Sequence, residues 1–158
     1  MEKQKVYIET SVISYLTAKP IRDIIIAAHQ ELTRYWWDVE KDKFDLFISE
    51  LVINEAGAGD ANAAELRLSE LNDLPLLDID DRVIVLTKAI LSSGVVPQKA
   101  AEDALHISIA TVHRIDYLLT WNCKHIANAI INNQLRKIIT ENGYLMPVIC
   151  TPNELLTE

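Results

Sequence analysis

The sequence predicts an α/β fold, a three-layer α/β/α sandwich with a short, mainly parallel sheet. Three observations carry this. Short β-branched and aromatic runs at 5–8, 44–48, 117–120 and 147–150 alternate with longer stretches of helical periodicity, and strands joined by helices pair in parallel through crossovers. Four glycines in 158 residues are too few for an all-β chain built on tight turns. A hydrophobic share of 49% with 24% charged residues is ordinary globular composition, and the length is that of one domain, 1–158.

The elements follow in order. Residues 5–8 read as a buried strand, and Thr10 and Ser11 are placed to cap a helix over 12–16. Pro20 suits the first turn of a long helix over 21–40, in which Ile24, Ile25, Ala28, Leu32, Tyr35 and Trp36 recur at helical spacing. After the strand at 44–48, Ser49 caps a short helix to 56, which Gly57 and Gly59 stop. Asp60 caps a helix over 61–72 whose Leu66, Leu68 and Leu71 partly face a core. Residues 75–78 are a connection or a short extended piece, and Asp80 or Asp81 caps a helix over 82–92. Gly94 and Pro97 break the chain before a helix over 98–113 with a small-residue face. The strand at 117–120 leads to a helix over 125–142, ended by Gly143. The last strand meets a capping box at Thr151-Pro152-Asn153-Glu154, opening a single turn that reaches 158.

The formal net charge of −8 lacks the basic footprint of a dedicated nucleic-acid binder, although acidic metal ligands contribute to it and bound cations would locally reverse it. Cys123 and Cys150 read as two reduced thiols. The start, Met1-Glu2-Lys3-Gln4-Lys5, has no signal-peptide pattern. The longest apolar runs, such as 24–28, are too short to span a bilayer. These features predict a cytoplasmic protein with no membrane association.

Four segments place an oxygen ligand where a strand ends or a helix begins: Val6-Tyr7-Ile8-Glu9-Thr10-Ser11, Ser49-Glu50-Leu51-Val52-Ile53-Asn54-Glu55, Glu102-Asp103-Ala104-Leu105-His106 and Leu118-Leu119-Thr120-Trp121-Asn122. Sites in open α/β sheets lie at the carboxyl ends of strands, so these four fall together. Glu9, Glu55 and Asp103 sit in largely apolar surroundings, where a carboxylate is costly unless something positive meets it. A hard cation such as Mg²⁺ or Mn²⁺ is the natural partner of an all-oxygen set, and it suits phosphodiester hydrolysis. Each residue also has a plainer reading. Glu9 can satisfy a backbone N–H at the helix start. Asp103 can pair with Lys99 one turn earlier, or Lys99 can be the cation beside the site. Glu55 can be a solvated helix face, and Glu50 and Glu102 first-turn acids. Asn122 can be a turn residue, and Thr120 can bond either a ligand carboxylate or its own backbone. His106 reads as a satisfied core histidine. Cys123-Lys124-His125 has no further ligands at zinc spacing. Trp36 and Trp37 are not expected to face one core together, which leaves one for an interface. Lys19, Arg22, Arg34 and Lys124 are either phosphate contacts or solvated charges.

These four segments, in this order, resemble the successive motifs of the PIN-domain family, and most nearly the VapC-type toxins of toxin–antitoxin systems, over about residues 6–151. The resemblance implies an α/β/α sandwich and Mg²⁺- or Mn²⁺-dependent endoribonuclease activity leaving 5′-phosphate and 3′-hydroxyl ends. It implies a homodimer and a small cognate antitoxin as partners. It assigns Glu9, Glu55 and Asp103 as the metal-binding and catalytic acids, Asn122 as a fourth position acting through water, and Thr10 as the hydroxyl that follows the first acid. Thr120 and Lys99 stand beside them as substrate or supporting residues. Two departures from the family pattern stand out. Glu9 is one methylene longer than the usual Asp, and Asn122 is neutral where Asp is common. The alternative they favour is a degenerate PIN-like module that binds a protein or RNA without cutting it. A third reading is a DNA-directed nuclease.

Overall fold

The computed structural model describes residues 2–157. Five strands form one wholly parallel sheet in the order β3-β2-β1-β4-β5, with β1 Lys5–Ile8, β2 Asp45–Ser49, β3 Leu76–Leu77, β4 Tyr117–Leu119 and β5 Val148–Cys150. Seven α-helices lie among the described residues: α1 Thr10–Thr17, α2 Ile24–Tyr35, α3 Glu50–Ala56, α4 Ala61–Leu71, α5 Asp81–Ser92, α6 Ala101–Val112 and α7 Ala129–Glu141. Helices α1 to α4 pack among themselves and α5 to α7 among themselves, giving the two outer layers of the sandwich. Val6, Tyr7 and Ile8 are all buried, because β1 is the central strand and both its faces are covered. The chain runs outward from β1 through β2 to β3, then returns to the other side of β1 with β4. The order therefore reverses between β1 and β4, and a crevice opens at the carboxyl ends of these two strands.

Caps set most boundaries where the sequence predicts them. Ser49, Asp60 and Asp80 each accept a backbone N–H at the start of α3, α4 and α5. The piece at 75–78 is a true strand, its Leu76 and Leu77 paired with Ile48 and Ser49. The Thr151 capping box closes a 3₁₀ turn, Pro152–Glu154. Met1 and Glu158, the ends of the expected domain and of that last turn, lie outside the described residues.

Three boundaries differ from expectation. Helix α2 starts at Ile24 because the Asp23 carboxylate caps Ile25 and Ile26 N–H, at 2.9 and 3.1 Å, so Pro20 stays in the connection. Its inward face carries Gln30 and Thr33, and the Gln30 side chain ties down the backbone of Lys19 and Ile21. Ile24 and Ile25 are instead 84% and 68% exposed. Leu66 on α4 is likewise exposed. Helix α7 starts at Ala129 because Asn128 caps Ile130 and Ile131, and residues 122–128 form a turn instead. Thr10 opens α1 itself, with Glu9 at the capping position.

Trp36 and Trp37 are both buried, which corrects the expectation that one would be left for an interface. After α2 the chain widens into a π-helical turn, Trp36–Glu40, closed by Lys41 N–H on Trp36 C=O. That turn is enclosed from two sides. Trp36 stacks on Phe44 with ring centroids 5.8 Å apart and donates its indole N–H to Leu155 C=O. Trp37 reaches Glu70 of α4 with its indole N–H. Glu40, at the end of the turn, is fully buried. Burial pushes its carboxyl up, but hydrogen bonds from Thr157 and Lys43 outweigh this and hold it below the usual range. The two cysteines are free thiols, and burial pushes the Cys150 thiol up to about 12. No helix among the described residues is long and apolar enough to cross a membrane.

Candidate metal centre

Glu9 is where the sheet reversal meets the first helix. Its backbone N–H continues the ladder to Leu119 C=O at 3.1 Å, and its C=O accepts from Val12 to begin α1. The side chain does not cap that helix, although its position would allow it. It lies across the crevice instead, 6% exposed. Its Oε1 accepts from Thr120 Oγ1 at 2.6 Å and from Ser11 Oγ. Ser11 in turn accepts Trp121 N–H at 2.8 Å, so α1 and the segment after β4 are stitched together around this one carboxylate. Trp121 stacks on His29, with centroids 4.1 Å apart, and donates to Thr33 Oγ1 at 2.7 Å. That contact gives the polar inward face of α2 its purpose.

Glu55 comes to the same crevice from α3. Its Oε1 accepts from Thr10 Oγ1 and from His106 Nε2, each at 2.6 Å. Burial works to raise its carboxyl, but the hydrogen bonds from His106 and then Thr10 outweigh this and hold it below the ordinary glutamate range. Glu102, in the first turn of α6, lies beside Glu55. The nearness of the Glu55 carboxyl raises Glu102, since two neighbouring acids resist ionising together.

One ligand atom each from Glu9, Glu55 and His106 lies within 4.8 Å of the others, close enough to hold one ion. Asp103 stands outside that trio. Its Oδ2 pairs with His125 Nδ1 at 3.0 Å rather than with Lys99, and Asp103, Glu102, His125 and Lys99 line a neighbouring cleft of about 440 Å³. Asn122 Oδ1 accepts the backbone N–H of Lys124 and His125, at 3.2 and 3.1 Å. It therefore holds the turn that presents His125 to Asp103. Thr120 Oγ1 bonds the Glu9 carboxylate and also accepts Asn122 N–H.

From the sequence, His106, Glu102, Ser11 and His125 have only plainer readings: a core histidine, a first-turn acid, a helix cap and an incomplete zinc half-site. His106 is the satisfied, fully buried histidine expected of it, but one of its partners is a candidate metal ligand. A signal was available: Glu102, Asp103 and His106 are spaced to share one face of α6.

The donor set fits a hard divalent cation. Glu9 and Glu55 each have one oxygen fixed by two donors, and two anionic side chains converge in a crevice with Glu102 and Asp103 close by. No protein-family model and no curated protein matches the sequence. Among solved structures, the chain is similar to one of VapBC2 from Rickettsia felis, determined bound to a DNA fragment from their promoter. The two are 14% identical, with a TM-score of 0.59 over 94% of this chain and 98% of that one. At that identity the likeness speaks for the fold alone, and the chain has the PIN-like α/β/α architecture that its four motifs resemble.

Proposed function

We propose that this chain is a metal-dependent endoribonuclease, the toxin of a toxin–antitoxin pair, acting in the cytoplasm as a homodimer. The observation that carries the reading is the meeting of Glu9 and Glu55 at the sheet reversal, each with one oxygen held by two donors. Asp103 stands at the adjoining cleft. The antitoxin partner is supported by the likeness to a VapBC2 structure, and exposed Ile24 and Ile25 on α2 offer apolar surface to a protein.

A bound Mg²⁺ or Mn²⁺ supplies charge neutralisation at the scissile phosphate and acidifies the attacking water. Glu9 and Glu55 would hold the ion, with Asp103 as the third acid. Thr10, Thr120 and Ser11 keep the first two carboxylates in place before substrate arrives, so little reorganisation is left for the reaction itself. Lys99, exposed on the cleft beside Asp103, is set to meet a phosphate of the RNA strand. Asn122 contributes through the turn it caps, with water filling the remaining space at the site.

One observation favours the non-cleaving alternative: Asp103 is paired with His125 and the Asn122 oxygen is engaged by backbone, leaving fewer free ligands than the motifs promise. Purified, antitoxin-free protein incubated with a mixed RNA pool decides between the two. Cleavage with Mn²⁺ or Mg²⁺ that disappears with EDTA and in Asp103→Asn is the expected result. Folded protein that binds RNA or antitoxin and never cuts is the result that replaces this reading with the binding module. A DNA pool run in parallel addresses the DNA-directed reading.

A further inference from the structure

We propose that His106 is a positioning residue: a buried hydrogen-bond donor, braced through Tyr7 and Ser49, that fixes one oxygen of Glu55 so that the other meets the metal ion. The inference rests on the metal-site reading above and assigns His106 a role other than ligand.

The geometry is a continuous buried chain. Ser49 Oγ lies 2.7 Å from Tyr7 Oη, Tyr7 Oη lies 2.8 Å from His106 Nδ1, and His106 Nε2 lies 2.6 Å from Glu55 Oε1. Ser49, Tyr7 and His106 are each 0% exposed. The proton inventory closes with a neutral imidazole. Ser49 Oγ accepts Val52 N–H and donates its own proton to Tyr7; Tyr7 donates to Nδ1; Nε2–H donates to Glu55. Each hydroxyl then accepts once and donates once, each ring nitrogen is used once, and no proton is left over.

Lone pairs on the carboxylates lead to the same result. Glu55 Oε1 already takes Thr10 and His106, and Glu9 Oε1 already takes Ser11 and Thr120. A carboxylate oxygen with two donors has no good lone pair for an ion, so each acid offers its Oε2. Two monodentate oxygens on braced side chains suit an octahedral cation that retains several waters. Turning His106 Nε2 to the ion would break its bond to Glu55. It would also introduce an imidazole donor, which shifts preference from Mg²⁺ and Mn²⁺ toward zinc, copper, iron or nickel. The brace spans the fold: Tyr7 is on the central strand, Ser49 and Glu55 belong to β2 and α3, and His106 is on α6.

The test is Mn²⁺ binding to the full chain, followed by electron paramagnetic resonance, with ¹⁴N modulation of the bound ion as a second readout. His106→Gln keeps an amide N–H near the Nε2 position, whereas His106→Leu removes it. The expected result is Mn²⁺ affinity about 10–100-fold weaker in His106→Leu, within about threefold of the parent in His106→Gln, and no imidazole nitrogen signal that the Gln variant abolishes. Parent-like affinity in His106→Leu overturns the proposal, and so does a Gln variant as weak as the Leu variant. A nitrogen signal lost in His106→Gln makes His106 a ligand instead. If His106→Leu does not fold, Tyr7→Phe carries the test: it removes the proton donated to Nδ1, and unchanged Mn²⁺ affinity there overturns the brace. Glu9→Gln and Glu55→Gln run alongside. If both bind Mn²⁺ as the parent does, the metal-site reading itself has failed; if both lose it while His106→Leu does not, only the role of His106 has.

Discussion

Glu55→Gln lowers metal-dependent RNA cleavage by about 10³-fold, and Glu9→Gln does the same, with the fold intact in both. The magnitude follows from losing one anionic ligand of an ion whose contribution is several kcal/mol, at a tenfold change in rate for about every 1.4 kcal/mol. The substitution is sharply targeted. A glutamine oxygen at position 55 still accepts from Thr10 and His106, so the side chain keeps its place. What changes is the second oxygen, replaced by an amide that carries no charge and points hydrogens where a cation would sit. Thermal stability should fall modestly, since the fold holds the Glu55 carboxyl below its ordinary range and so favours the charged form that glutamine lacks. The double variant should fall little below either single one, because groups acting on one ion are not additive. Steady-state cleavage of a labelled RNA by the three variants checks this. A Glu55→Gln rate within a few-fold of the parent removes that carboxylate from the catalytic set.

The largest effect on stability is expected at Trp36, where Trp36→Ala should cost about 3–5 kcal/mol by urea unfolding. The indole is wholly buried, stacked on Phe44 and bonded to Leu155 C=O, so truncation leaves a cavity and an orphaned carbonyl together. It also loosens one of the two places where the π-helical turn holds the C-terminal segment beyond β5, the other being Glu40 with Thr157. Trp36→Phe separates the two contributions. It retains stacking on Phe44 and loses the Leu155 hydrogen bond, itself a net contribution of about 1 kcal/mol. A loss below about 1 kcal/mol in Trp36→Ala would mean that this corner of the core is not packed as described.

Local chemistry explains which parts of the fold were legible in the sequence. β1, β2, β4 and β5 are short apolar runs bounded by polar or breaking residues, and Ser49, Asp60 and Asp80 cap the helices they precede. The misreadings arose where two local signals competed. Pro20 and Asp23 can each start a helix, and the side-chain cap at Asp23 prevails. His125 looks like the opening of α7, but Asn122 and Asn128 each bind nearby backbone and hold 122–128 as a turn. The helical spacing of Ile24 and Ile25 suggested a buried face, yet Gln30 and Thr33 turn inward because Trp121 and the 19–21 connection need polar partners.

The site divides along the same line. Glu9 and Glu55 were recognisable as acids in apolar segments. Their meeting depends on β1 lying between β2 and β4, which no single motif specifies. The bond between His106 and Tyr7 joins residues 99 positions apart and has no local signature. The pairing of Asp103 with His125 is a side-chain choice, made once the turn after β4 is in place.

The most direct test of the metal centre is the anomalous diffraction of crystals soaked in Mn²⁺. The account predicts a peak between Glu9 and Glu55, bonded to one oxygen of each and not to the oxygens held by Thr10 and Thr120. A well-occupied peak elsewhere, or none in the crevice at millimolar Mn²⁺, would contradict it.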